Sequence, residues 1–303
     1  MAQIVGIGAN VQDTIYRLDT YPQEDTKQKA VSITQCGGGP CTTGLVAAAK
    51  LGADCAYIGN VSADATGEFL VKDLAHYGVD VSMTKAVPDT TGFRSCIWLA
   101  DDRATRTCVF DRGNVPSTTL GETEIAAIQN AQLLMVDGND LDAAVSAAKI
   151  ARQSGTMVLY DAGGLYPNVE KLLEQTDILI PSEEFACKHT GEPSAESAAM
   201  ELYRKYQPKV VVVTQGKEGG VLFDGKQLTR YPAFPVNAVD TNGSGDVFHG
   251  AFAFALTKGW EYLQCCVFSS AVSALKCTQV GARKSIPDYE TVLEFLRSRN
   301  ANF

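Results

Sequence analysis

VVVVTQG, residues 210–216, is apolar at four consecutive positions and then turns polar and glycine-bearing. A strand with one wet face alternates, whereas a strand covered on both faces reads as a continuous apolar run. MVLYDAGG (157–164) has the same shape, and QIVGIG, CAYIGNV, LLMVDG, DILIPS and GVLFDG are shorter versions of it. Helical patterns such as GLVAAAKLG and SAAKIARQSG lie between them. Repeated strand, helix, strand order predicts an α/β fold, a doubly wound and mainly parallel sheet with helices on both faces. In such sheets ligands gather outside the carboxyl ends of the strands.

Two segments break the rhythm, residues 15–39 and 91–113. Both read as antiparallel strands. In the second, Ser95 to Ala100 and Arg106 to Phe110 flank the turn-forming DDRAT, and Trp98, Val109 and Phe110 give the ribbon apolar positions. A small sheet projecting from the main one is expected, serving as a lid or as a dimer interface. No repeat or linker divides the chain, so all 303 residues are expected to form one domain, with lid strands from about 15–35 and 91–113.

A net charge of -9 argues against a broad footprint for nucleic acid or an anionic membrane, so any bound anion must be held locally. Met1 leads directly into QIVGIG without a basic leader, and runs such as Val210 to Thr214 are too short to span a bilayer. A cytoplasmic location is expected. The nine cysteines are an odd number scattered through apolar contexts, which reads as reduced core thiols. His76, His189 and His249 are too dispersed for a zinc site. GIGANV has Val11 where a dinucleotide fingerprint needs a small residue, and no P-loop motif occurs.

DTNGSGDVFHGAF (240–252) runs from a glycine-rich turn into an apolar helix. Such a turn aims backbone N–H groups at one point, where the helix dipole also favours negative charge. Gly243, Ser244 and Gly245 keep side-chain bulk away from that point. Asp246 beside it reads either as an N-terminal helix cap or as a base facing a substrate hydroxyl. CGGGPCTTGLVAAAKLG (36–52) is a second glycine-rich entry into a helix, and GIGANVQD places Asn10 and Asp13 at the carboxyl end of the first strand.

In these motifs the sequence resembles the ribokinase-like, PfkB-type carbohydrate and nucleoside kinases, over essentially the whole chain. The family's D-T-x-G-A-G-D run stands here as DTNGSGD with Ser244 in place of alanine, and its N-terminal glycine signature as GGGPCTTG. The resemblance implies an ATP-dependent kinase that phosphorylates an alcohol, with Asp246 as base and Gly243, Ser244 and Gly245 as anion hole. It implies sugar contacts at Asp13, Gly38, Gly39 and Thr43, the last where many relatives carry asparagine. Nucleotide contacts fall on Thr214, Gly216 and Gly219 of VVVTQGKEGG, on Ser182, and on Gly281, Ala282 and Ser285 of the tail. That tail is similar to a loop that helps bind potassium in some relatives. An N-x-x-E pattern tied to Mg²⁺ is replaced here by Ser182 and Phe185, leaving Glu183 or Glu184 as substitutes. GGGP with DVFHGA and ALKCT is closest in wording to the sulfofructose-kinase and ketohexokinase branch, which implies a ketose-like or furanose acceptor. For an acidic sugar, Arg112 is the candidate cation, with Arg94 or Arg106, although no arginine follows LLMVDGND. A homodimer through the lid strands is implied as well. Two alternatives stay open: a nucleoside kinase whose base pocket is Phe93, Trp98 and Phe110, and a binding protein without catalysis.

Overall fold

The computed structural model describes residues 2–102 and 105–301. Along the first half of the chain run β1 (Ile4–Ile7), β2 (Val11–Leu18), β3 (Ser32–Gly38), α1 (Pro40–Lys50), β4 (Cys55–Ser62), α2 (Ala65–His76), β5 (Asp80–Val87), β6 (Arg94–Ala100), β7 (Thr105–Asp111) and α3 (Glu122–Asn130). The second half contains β8 (Leu133–Val136), α4 (Leu141–Ser154), β9 (Met157–Ala162), α5 (Glu170–Leu173), β10 (Ile178–Pro181), α6 (Glu183–Thr190), α7 (Ala195–Tyr206), β11 (Val210–Thr214), β12 (Gly220–Phe223), β13 (Leu228–Tyr231), α8 (Ser244–Thr257), α9 (Tyr262–Cys277) and α10 (Tyr289–Ser298). Among the described residues, no helix is long and apolar enough to cross a membrane.

The strands form a nine-stranded sheet in the order β13-β12-β11-β10-β9-β8-β1-β4-β5 and a four-stranded sheet in the order β3-β2-β6-β7. The large sheet is parallel from β5 to β11 and antiparallel at β12 and β13. Alternate residues of its central strands feed two cores. Ile4, Met135, Leu159, Ile180 and Val212 pack with α1, α8 and α9, while Val5, Val136, Val158, Leu179 and Val211 pack with α4 and α7. Strand order reverses at β1, which lies between β4 and β8, so the crevice for a ligand opens outside these strands.

The small sheet departs from the expected boundaries. Its first strand begins at Val11, so Asp13 lies within β2 and faces Cys36 across the hairpin, not at the end of β1. Residues 103 and 104 of the DDRAT turn lie outside the described residues. Edge strands β5 and β13 were not expected at all. Each has a single buried residue, Met83 in β5 and Tyr231 in β13, so neither carries the continuous apolar run that marks the interior strands.

Helices α1 and α8 approach closely enough for backbone to touch backbone. A Cβ on Gly250 would strike the Gly44 carbonyl oxygen, and one on Gly44 would strike the Met135 side chain. Only residues without a side chain permit this crossing. Gly250→Ala is expected to destabilise the protein by about 1–3 kcal/mol, because a backbone obstacle cannot rotate away. The midpoint of urea unfolding, at unchanged slope, measures it.

Candidate active site

Residues 36–43 and 240–246 meet in a cavity of about 160 Å³ lined by Asp13, Gly38, Gly39, Thr43, Gly243, Asp246 and Ala282, with Phe93, Phe110 and Ser95 from the small sheet. The glycines are needed for space. A Cβ on Gly38 would overlap the Asp13 carboxylate, and Gly39, at φ +100°, lies against the Ala9 carbonyl. Thr42 Oγ1 lies 2.9 Å from the Ala9 carbonyl oxygen and 2.8 Å from that of Gly38, fastening the turn to the end of β1.

Gly243, at φ +74°, is the N-cap of α8 and no side chain caps it. Asp246 sits inside the first turn, so the helix-cap reading of this carboxylate does not hold. The first N–H groups of a helix have no acceptor within it. That of Ser244 donates to the Thr241 carbonyl at 3.2 Å, while the amides of Gly245 and Asp246 meet no backbone acceptor among the described residues.

Asp246 is half-buried, and its carboxyl is pushed up to about 7 by desolvation and then by the negative charge of Asp161, against the pull of His249. Asp137 and Asp13 add smaller repulsions. Asp137 is raised by burial, although it accepts from the N–H groups of Ala9, Cys41 and Asn139 at 2.8, 3.0 and 2.9 Å. Burial likewise raises Asp13, which accepts from Ser95 Oγ at 2.6 Å. Asp161 is raised well above the carboxylate range by burial, and its Oδ2 lies 3.2 Å from His249 Nδ1.

His249 spends both ring nitrogens on the protein. Nδ1 lies 2.6 Å from the Gly245 carbonyl oxygen and Nε2 lies 2.9 Å from that of Ile180. Burial pushes this ring toward the neutral form, and the two carbonyls with Asp246 push it back. It braces the start of α8 against β10.

Arg283, which sequence reasoning passed over, is fully buried. It pairs with Asp73, and its Nη2 donates to the Gly38 carbonyl at 2.8 Å and to Thr42 Oγ1 at 2.6 Å. Its neighbours Gly281, Ala282 and Ser285 had been singled out. The available signal was a cation between Ala282 and Ile286, two positions the chain buries.

Arg112 does not line the small cavity. It borders an adjoining cavity of about 560 Å³ at the ends of β1, β4 and β8, together with Asn10 and Asn139, and Phe93 separates the two spaces. Its guanidinium lies 5.5, 5.9 and 5.3 Å from the rings of Phe93, Phe110 and Tyr166. Asn10 is buried, and neither atom of its amide has a hydrogen-bond partner among the described residues. Arg106 reaches from β7 to Thr241 Oγ1 at 3.1 Å. Trp98 is turned to the far face of the small sheet, edge-on to Tyr21, and takes no part in either cavity.

The residues expected to meet nucleotide divide. Ser182 and Thr214 bridge the ends of β10 and β11, and Gly216 and Gly219 hold positive φ in the turn after β11. Ser182 Oγ caps α6 by accepting from the Phe185 N–H at 3.1 Å. Ala282 lines the small cavity instead, and Gly281 donates to Asp240 Oδ2 at 2.9 Å. Glu183 accepts from Gln215 at 2.8 Å, whereas Glu184 is turned outward to Lys188. They do not converge, and among the described residues no three acidic, histidine or cysteine side chains could hold a metal ion.

The nine-stranded sheet with a four-stranded sheet beside it is the ribokinase-like fold. The solved structure of Arabidopsis thaliana ribokinase complexed with ribose and ATP matches it with a TM-score of 0.86 at 25% identity, covering 98% of this chain and 99% of that one. In sequence, Arabidopsis thaliana ribokinase is 27% identical over 97% of this chain and 81% of its own length, and Mus musculus ketohexokinase is 27% identical over 91% and 96%. Residues 1–289 match the family described as pfkB family carbohydrate kinase. The chain belongs to that family and is a carbohydrate kinase.

Asp246 is expected to change charge near neutral pH, as an NMR titration of the aspartate carboxyls measures, with Asp246→Asn assigning the signal. Asp161→Asn removes the strongest neighbouring negative charge and should move the midpoint down by about one unit.

Proposed function

We propose that the chain transfers the γ-phosphate of ATP to a primary hydroxyl of a ketose-like or furanose sugar, with Asp246 as general base. The observation that carries this reading is a carboxylate whose proton affinity is raised to about 7, at the edge of a small cavity that it shares with Asp13, and in the first turn of α8. A base is most effective when its pKa lies near the working pH. Phosphoryl transfer otherwise asks mainly for positioning and for positive charge at the phosphoryl oxygens.

In this reading Asp13 and the 38–43 turn hold the sugar, and the γ-phosphate meets the amides at the start of α8. The acceptor hydroxyl gives its proton to Asp246, its oxygen bonds to the γ-phosphorus, and the bridging P–O bond breaks as ADP leaves. Mg²⁺ enters as part of the MgATP substrate, since no three acidic, histidine or cysteine side chains among the described residues could hold it. Ser182, Thr214, Gly216 and Gly219 would border the nucleotide at the ends of β10 and β11. The ribose and ATP in the Arabidopsis thaliana ribokinase structure support this pair of substrates. The whole chain acts as one kinase domain, with the small sheet as a lid whose Arg106 contact to Thr241 closes the site against water. Exposed Ile33 and Val109 on that sheet support pairing with a second copy.

A sugar carrying an acidic group is the second reading, favoured by Arg112. Among the described residues its guanidinium has aromatic neighbours and no carboxylate partner.

The test is ADP release from MgATP with a panel of ketoses, pentoses, sugar acids and nucleosides, for the parent and for Asp246→Asn. One sugar class should be turned over, and the variant should lose about 10²- to 10⁴-fold in kcat. Turnover of nucleosides alone, or a variant equal to the parent, would overturn the reading. Because the protonated carboxyl cannot accept a proton, kcat/KM should rise as pH increases through about 7 and level off above it.

A further inference from the structure

The 278–285 turn resembles a potassium loop, but the Asp240 oxygens beside it are already engaged by the chain. Lys276, in the last turn of α9, is fully buried. Its ammonium donates to the Asp240 carbonyl oxygen at 2.8 Å and stands 3.9 Å from the same residue's carboxylate. That carboxylate in turn accepts from the Asn242 N–H at 2.8 Å and from the Gly281 N–H at 2.9 Å. Asp240 therefore joins the DTNGSGD turn to the 278–285 turn, and a single buried positive charge compensates it.

A potassium ion binds through carbonyl and carboxylate oxygens without directional bonds, and an ammonium group carries the same single charge to the same kind of oxygens. Where such a charge is already fixed by the chain, a second cation would meet repulsion and fewer free oxygens. We propose that Lys276 is a built-in monovalent cation that replaces potassium in ordering the DTNGSGD and 278–285 turns, so that this kinase works without it. Lys276 is a positioning residue here, since it is fully buried and acts through Asp240. Burial favours the neutral amine, and the Asp240 charge opposes that, with Cys277 and Asp246 adding to the opposition and Arg106 working against it.

The inference rests on the kinase reading only for its kinetic consequence, and the experiment is chosen to be independent of turnover. Thermal unfolding and ADP affinity of the full chain are measured in choline, sodium and potassium chloride at equal ionic strength, for the parent and for Lys276→Met and Lys276→Gln. The parent should show less than about a twofold change in ADP affinity between salts, and the variants should bind ADP about tenfold better in potassium than in choline. A potassium requirement in the parent would overturn the proposal, as would variants that potassium does not rescue or that fail to fold in every salt. A variant that folds in potassium and not in choline supports it. Should Asp246→Asn keep the parent's turnover, the base assignment falls while these measurements stand.

Discussion

The contact of α1 with α8 through Gly44 and Gly250 is the constraint on which the site depends. Each helix begins at a glycine-rich turn, and both turns border the same cavity. Two helix N-termini directed at one small space supply partial positive charge from the backbone alone. Separating the axes by the width of one methyl group would move Asp246 away from Gly38 and Gly39, because Gly44 also lies close to the Asp246 carbonyl. The permissive glycines are thus spent less on flexibility than on proximity.

That positive potential is needed because Asp13, Asp137, Asp161 and Asp246 are crowded into one desolvated region, where like charges cannot all ionise freely. Two of them are provided for. Asp137 takes three backbone N–H groups, and Asp13 takes the Ser95 hydroxyl and the field of Arg283, whereas Asp161 Oδ2 has no hydrogen-bond partner among the described residues, the His249 Nδ1 beside it facing the Gly245 carbonyl. Among the described residues no hydrogen-bond donor reaches the carboxylate of Asp246. Its proton affinity is therefore set by its neighbours' charges and by whatever enters the cavity, which is the condition a proton acceptor needs.

How legible this was from sequence follows from the kind of interaction. The interior strands announced themselves, since VVVVT and MVLYD are buried on both faces and cannot alternate. Strands β5 and β13 lie at the sheet edges, where a single buried residue in each makes no apolar run. The two glycine turns were readable because they take backbone shapes and close approaches that few other residues permit. Asp13 was placed at the end of β1 but lies in β2, which starts only four residues after β1 ends. The buried cations were not readable. Arg283 bonds to Gly38 across 245 residues of sequence and Lys276 bonds to Asp240 across 36, and a lone basic residue carries no periodicity that reports its target.

The division of labour between the two sheets explains why those cations are buried at all. Asp13 and Ser95 belong to the small sheet, whereas Asp246 belongs to a helix of the large one, so the cavity they share keeps its shape only if their relative position is maintained. Arg283 supplies that link at the root of the small sheet, because it holds the Gly38 carbonyl at the end of β3 while anchored to Asp73 of α2. A neutral hydrogen-bonding residue could satisfy the same carbonyl, but it would not offset the charge of Asp13 next to it. A desolvated ion pair is poor evidence for stability in general. Here the guanidinium does two things at once: it ties the end of β3 to α2, and its charge opposes the rise in proton affinity that burial gives Asp13.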